Sequence, residues 1–200
     1  MTNAHTKPFF SPGQTVVLFG GSFDPPHDGH RLIAEAALKQ LNADFVWWLV
    51  SPQNPLKARK AGAASTRLTA TRALAAHPKF IVSDEEARLG TQYAVDTVAA
   101  LQKRFPHVRF IWLIGADNLA GMHEWKDWQG LMHRLPLAVY PRPGATLKAL
   151  ASPAAQKFAA HRLAEAAQLR HYQAPVWTLL RGAQSAESST ALRQAKQHGK

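Results

Sequence analysis

Four apolar residues, Val16-Val17-Leu18-Phe19, run straight into Gly20-Gly21-Ser22-Phe23-Asp24-Pro25-Pro26-His27-Asp28-Gly29-His30, and this junction constrains the chain more than any other feature. The apolar run reads as a short interior strand, and adjacent glycines without Cβ atoms let the backbone turn sharply and lie close to a ligand. Beyond them the spacing predicts a helix over 29–41, with Leu32, Ile33, Ala36, Ala37 and Leu41 on one face. Its start would stand beside the turn, where free N–H groups and the positive end of the helix dipole attract phosphate. If the helix begins near Asp28, His27 and His30 sit at its first turn on adjacent faces, both able to reach one anion. Imidazoles so placed donate hydrogen bonds to phosphoryl oxygens and offset charge that builds at phosphorus during displacement. A metal site on the same pair is disfavoured, because cysteine is absent and no further His or carboxylate stands at ligand spacing.

The chain's 200 residues suffice for one α/β domain with a proper core and are too few for two comfortable ones. With 46% hydrophobic residues there is ample apolar material. No apolar run approaches the roughly 18 residues that span a bilayer, and Met1 to Gly13 lacks the apolar core of a signal peptide. Residues 1–13 are expected to be a flexible N-terminus and 14–197 the working domain. Zero cysteines exclude disulfides and thiolate chemistry, which fits a cytoplasmic protein.

Lys and Arg total 24 against 13 Asp and Glu, a net charge of +11. Such an excess raises nucleic-acid binding as a rival reading. The basic residues are dispersed, however, and the aromatics lie in apolar runs and do not alternate with Arg or Lys as a stacking platform would, so nucleic acid is disfavoured. A positive field also serves a site that must gather two anionic substrates.

Apolar runs over 15–19, 45–50, 80–82, 108–114, 136–140 and 176–180 read as strands, alternating with helices predicted over 29–41, 66–77, 92–104, 127–133, 153–170 and 189–197. That alternation predicts a parallel sheet with right-handed crossovers. The Ala-rich stretch from Ala149 to Ala167 reads as a packed helix because Phe158 and Leu163 sit among good helix formers.

The Gly-Gly-Ser-Phe-Asp-Pro-Pro-His-Asp-Gly-His string resembles the signature of the nucleotidylyltransferase superfamily, whose His-x-Gly-His element here is His27 to His30. The resemblance implies an α/β fold: a single Rossmann-like domain with a mostly parallel sheet and helices on both faces. It implies transfer of a nucleoside monophosphate from a triphosphate to an acceptor phosphate with release of pyrophosphate. The dinucleotide fingerprint Gly-x-Gly-x-x-Gly is absent, so a nicotinamide or flavin dehydrogenase is not supported.

Three further segments are similar to the nicotinate mononucleotide adenylyltransferase branch. Ser51-Pro52-Gln53-Asn54-Pro55-Leu56-Lys57 follows a strand and resembles Pro-x-x-x-Pro-His-Lys, with Leu56 in place of the His, so only Lys57 carries over. Phe110 to Asp117 ends a strand on Gly115-Ala116-Asp117 and resembles the Gly-x-Asp element, which places Asp117 near the nucleotide sugar and phosphates. In that branch the equivalent of Trp125 packs on the nicotinate ring. An indole face is a flat apolar platform, and nearby backbone N–H groups could hold the carboxylate, whereas Trp128 reads as core. Glu187-Ser188-Ser189-Thr190-Ala191-Leu192-Arg193 resembles Ile-Ser-Ser-Thr-x-Ile-Arg, with Glu187 replacing the apolar residue. Ser188 or Ser189 would cap a helix whose N–H groups, with Thr190 and Arg193, face triphosphate oxygens.

Weaker likenesses lie at Asp84-Glu85-Glu86 and Gly90 to Thr97, where Gln92 and Ala94 depart from a Ser-Tyr-Thr pattern, and at Tyr140-Pro141-Arg142-Pro143-Gly144, which brings Arg142 to the ligand edge. The implied substrates are ATP and nicotinate mononucleotide. Gly20, Gly21, Ser22, Phe23, Lys57, Gly115, Asp117, Trp125, Arg142, Ser188, Ser189, Thr190 and Arg193 would bind them, and His27 and His30 would be catalytic. Magnesium would ride on the triphosphate, with no protein metal ligands. Phosphopantetheine adenylyltransferases, cytidylyltransferases and a silent nucleotide sensor are the alternatives, and the sequence leaves self-association open.

Overall fold

The computed structural model describes residues 8–52 and 61–182. In chain order they form β1 (Thr15–Gly21), α1 (Asp28–Gln40), β2 (Phe45–Val50), α2 (Ala64–Leu74), β3 (Phe80–Ser83), α3 (Glu85–Leu89), α4 (Ala94–Arg104) and β4 (Arg109–Gly115). Then come α5 (Ala116–Ala120), α6 (Trp128–Arg134), β5 (Leu137–Tyr140), α7 (Thr146–Leu150), α8 (Pro153–Lys157), β6 (Arg162–Leu163) and β7 (Trp177–Leu179). The strands make one sheet in the order β3-β2-β1-β4-β5-β7-β6, and every pairing is parallel. The chain is thus α/β and Rossmann-like, as the alternation of apolar runs and helical patterns predicts.

The strands β1, β2, β4 and β5 are buried on both faces, which is why they read as continuous apolar runs and not as alternating ones. Val16, Leu18, Trp47, Leu49, Trp112 and Ile114 point to one core, closed by α4 through Val95, Val98 and Leu101 and by α6 through Leu131 and Met132. Val17, Phe19, Val46, Trp48, Ile111 and Leu113 point to the other, closed by α1 through Ile33, Ala34 and Ala37 and by α2 through Leu68. Part of the segment expected to be loose is tied down. Phe10 is buried against Phe45, Trp47 and Phe105, and the Gly13 N–H donates to His107 O at 2.8 Å.

One expected element is corrected. The helix predicted over 153–170 stops at Lys157, and the chain continues through a short 3-10 turn into β6. Tertiary pairing overrides the alanine propensity here. The buried Trp177 Nε1–H takes the Phe158 carbonyl at 2.8 Å. Arg162 and Leu163 complete the sheet beside Trp177 and Thr178, whose Thr178 hydroxyl donates to Leu163 O at 2.9 Å. Five-residue α3, α5 and α7 are too short to show a helical period and were not anticipated. The helix predicted over 189–197 lies outside the described residues.

Candidate active site

The strand order reverses at β1, which lies between β2 and β4. In open α/β sheets the crevice at the carboxyl ends of such strands is where ligands bind. Register brings the expected residues to that edge: Gly21 pairs with Val50, and Gly115 pairs with Tyr140, two residues before Arg142.

The turn after β1 differs from its sequence reading in an instructive way. β1 continues through Gly21, and the residue with left-handed backbone is Phe23, at φ 43°. Gly20 and Gly21 are small because rings lie on them. A Cβ on Gly20 would stand 3.2 Å from the Trp112 ring, and one on Gly21 would stand 3.1 Å from the Phe23 ring. The Phe23 side chain is 1% exposed, edge-on to Phe19 with centroids 5.4 Å apart and to His30 at 5.1 Å. Phe23 can therefore meet a ligand only through its backbone. No described residue accepts from its N–H.

His27 caps α1 with extended backbone, φ −150° and ψ 167°, and is 6% exposed. Its N–H donates to His30 Nδ1 at 3.3 Å, and the two rings lie 3.9 Å apart, centroid to centroid. With Nδ1 accepting, a neutral His30 carries its proton on Nε2. Both imidazoles thus stand at the start of a 13-residue helix, in its positive dipole.

Across the switch point, Arg142 Nε lies 3.2 Å from Asp117 Oδ1. Gly115 makes this pair possible, since a Cβ there would overlap the Asp117 carboxylate and stand 2.9 Å from Arg142 Nε. The Arg142 backbone is fixed in turn, with its N–H donating to Thr146 Oγ1 at 3.0 Å. Trp125 is half-buried after a 3-10 turn, and the next residue, Lys126, bridges to Asp96 Oδ2 at 2.9 Å in the first turn of α4. The Asp96 contact raises the Lys126 pKa above its usual value, against a smaller desolvation effect. Trp128 packs edge-on against Phe158 with centroids 6.1 Å apart, as a core residue.

At the edge of the site, Arg67 escaped the sequence reading, and Glu86 entered it only within a weaker likeness. Arg67 on α2, 3% exposed, sends its guanidinium to four backbone carbonyls: Gly62 (2.8 Å), Ser22 (2.6 Å), Ser51 (2.8 Å) and Pro52 (3.0 Å). Burial lowers its pKa and nearby Asp24 raises it. Glu86, 4% exposed, has its pKa raised by burial, partly opposed by hydrogen bonds from Ser51 and Thr97. Its neighbour Glu85, 1% exposed, is ion-paired with Arg104. The Glu85 and Glu86 carboxylates are thus internal. Lys57, Ser188, Ser189, Thr190 and Arg193 lie outside the described residues.

A second concavity, an open cleft of about 630 Å³ lined by His107, Arg109, Arg134 and Arg170, lies where the strands begin. Helices α4 and α6 end near that edge, and basic groups such as Arg104 and Arg134 offset their negative C-terminal dipoles. The start of α1 is at the opposite edge. No helix among the described residues is long and apolar enough to cross a membrane, and no group of three or more potential metal ligands occurs among them.

Comparison with known proteins bears on the family and the fold. Residues 18–195 match the cytidylyltransferase-like family model. The probable nicotinate-nucleotide adenylyltransferase of Ruegeria pomeroyi is 46% identical over 94% of this chain and 89% of its own length. That of Cereibacter sphaeroides is 51% identical over 89% and 96%. Among solved structures, nicotinic acid mononucleotide adenylyltransferase of Plasmodium falciparum, complexed with NaAD, superposes with a TM-score of 0.64 at 14% identity, covering 90% of this chain and 83% of that one. The same match is found for the form complexed with APC. The structural likeness bears on the fold, while the sequence identity, 46% and 51% over most of both chains, together with the matching family model shows that the chain belongs to the nicotinate-nucleotide adenylyltransferases of the cytidylyltransferase-like family.

Proposed function

We propose that this protein transfers the adenylyl group of ATP to nicotinate mononucleotide, forming nicotinate adenine dinucleotide and pyrophosphate on the way to NAD. The observation that carries the reading is the paired imidazoles at the start of α1, beside the strand order reversal. Relatives at 45–51% identity carry the same name. A phosphate oxygen of the mononucleotide attacks the α-phosphorus in line. The bond from that phosphorus to the bridging oxygen of the β-phosphate breaks, and pyrophosphate leaves with the electron pair. The nucleophile is already an anion, so alignment and charge stabilisation suffice and no general base is required.

In this scheme His27, His30 and the Phe23 N–H meet charge on the α-phosphoryl oxygens. Asp117 and Arg142 face the nucleotide from β4 and β5, and Lys57, Ser188, Ser189, Thr190 and Arg193 hold phosphates. Magnesium enters with ATP as part of the substrate. Trp125 offers its face to the nicotinate ring. The Lys126–Asp96 bridge brings that segment to the α4 start, where the Ala94 and Val95 N–H groups have no described acceptor. Such donors favour a carboxylate over an amide. The reading carries with it a cytoplasmic setting, where ATP is supplied.

Specificity constants for nicotinate mononucleotide, nicotinamide mononucleotide and phosphopantetheine, each with MgATP, test the assignment. The expected order puts the nicotinate first by about tenfold or more over the amide, the cost of one mispaired hydrogen bond. Preference for the amide, or for phosphopantetheine, contradicts it.

A further inference from the structure

We infer that Arg67 is the positioning residue of the active site, orienting the Phe23 N–H toward the reacting phosphate and fixing the turn after β1 against the loop after β2. The inference rests on the adenylyl-transfer reading above. Its ground is the geometry of one buried guanidinium. Nη1 binds Ser22 O at 2.6 Å and Ser51 O at 2.8 Å, Nη2 binds Pro52 O at 3.0 Å and Nε binds Gly62 O at 2.8 Å. Three chain segments converge on it: the turn after β1, the start of the loop after β2 and the entry to α2. Asp24 in the first segment also accepts the Gly62 N–H at 3.3 Å.

The Ser22 contact has a directional consequence. The Ser22–Phe23 peptide is trans, since the cis bonds are elsewhere, and in a trans peptide the N–H points opposite to the C=O. Holding the Ser22 carbonyl toward Arg67 therefore aims the Phe23 N–H away from Arg67, and it has no described acceptor. The left-handed backbone of Phe23 is unfavourable for an aromatic residue and persists only where its surroundings hold it. Its buried ring holds one side of that conformation and Arg67 holds the other. The same ring abuts His30, so one fixed peptide registers both a backbone donor and an imidazole.

A lysine cannot replace this fork. Its single ammonium is a compact point charge with three donors, and it cannot bind all four of these carbonyls at once. Misplacing a reacting group by about 1 Å costs on the order of 100-fold in rate. Arg67→Lys should thus lower kcat about 100-fold, with the KM for MgATP changing less than about threefold, when assayed far below its unfolding temperature. A role in stability alone would lower the unfolding temperature and leave kcat per folded molecule unchanged.

The test combines that kinetic split with the amide spectrum of the full-length protein labelled with 15N, titrated with Mg2+ and α,β-methylene-ATP. In the wild type the Phe23 amide proton should move downfield as the analogue binds, and in Arg67→Lys that shift should be lost. Wild-type kcat in a folded Arg67→Lys, or an unchanged Phe23 shift there, overturns the assignment. Should the variant not fold, the wild-type titration decides: a Phe23 amide that ignores the analogue overturns it. A wild type that releases no pyrophosphate from MgATP and nicotinate mononucleotide removes the underlying reading instead, so the two failures are distinguishable.

Discussion

His30 is held before any substrate arrives. Phe19 and Phe23 flank its ring with centroids 6.2 Å and 5.1 Å away, and its Nδ1 is occupied by the His27 N–H. A donor fixed in this way loses little entropy on meeting charge that exists only in the transition state. His30→Ala should therefore lower kcat by about 100-fold or more while leaving the KM for ATP near its wild-type value. Steady-state kinetics with an intact circular-dichroism spectrum checks this, and near-normal kcat removes the role. Gly115→Ala tests the opposite side of the crevice. Its Cβ would displace the Asp117–Arg142 pair, and Asp117 is exposed enough to move, so the fold should survive. A KM for ATP raised about tenfold is expected, the equivalent of one charge-assisted contact. An unchanged KM would show that the pair does not face the nucleotide.

At the scale of elements, α3 and α4 enclose a carboxyl group whose titration should be visible in stability. Burial raises the Glu86 pKa, against weaker hydrogen bonds from Ser51 and Thr97. The folded protein then holds this proton more tightly than the unfolded chain. Stability is lost as pH rises from the unfolded pKa through the raised folded one, and stays lost above it. Glu86→Gln has no such loss, so its unfolding temperature should gain on the wild type by a few degrees between pH 5 and pH 8. Parallel curves at the two pH values would refute it. These elements also show what a sequence can disclose. The strands β1, β2 and β4 were legible because both faces are buried and each carries a continuous apolar run. The helix break at Phe158 was not, because its cause is a hydrogen bond from Trp177, 19 residues away. Arg67 reads as an ordinary polar position on a helix, and only folding reveals the carbonyls of three separate loops around it.

At the scale of the whole molecule, the two edges of the sheet carry different chemistry. The carboxyl edge gathers helix starts, imidazoles and Arg142, while the other gathers helix ends and the basic residues that offset them. A net charge of +11 favours encounter with anionic nucleotides. The acceptor side should be separable from the ATP side. Trp125→Ala should weaken both pyridine mononucleotides several-fold by removing the stacking face, yet keep part of the preference for the nicotinate, because backbone donors remain at the α4 start. Complete loss of discrimination would move specificity onto the indole. Isotope placement shows whether the adenylyl group itself moves. With ATP labelled at the α-phosphorus, Mg2+ and nicotinate mononucleotide, the label should appear in nicotinate adenine dinucleotide and the released pyrophosphate should be unlabelled. Label from the γ-phosphorus in the nucleotide product, or none in any dinucleotide, would contradict adenylyl transfer.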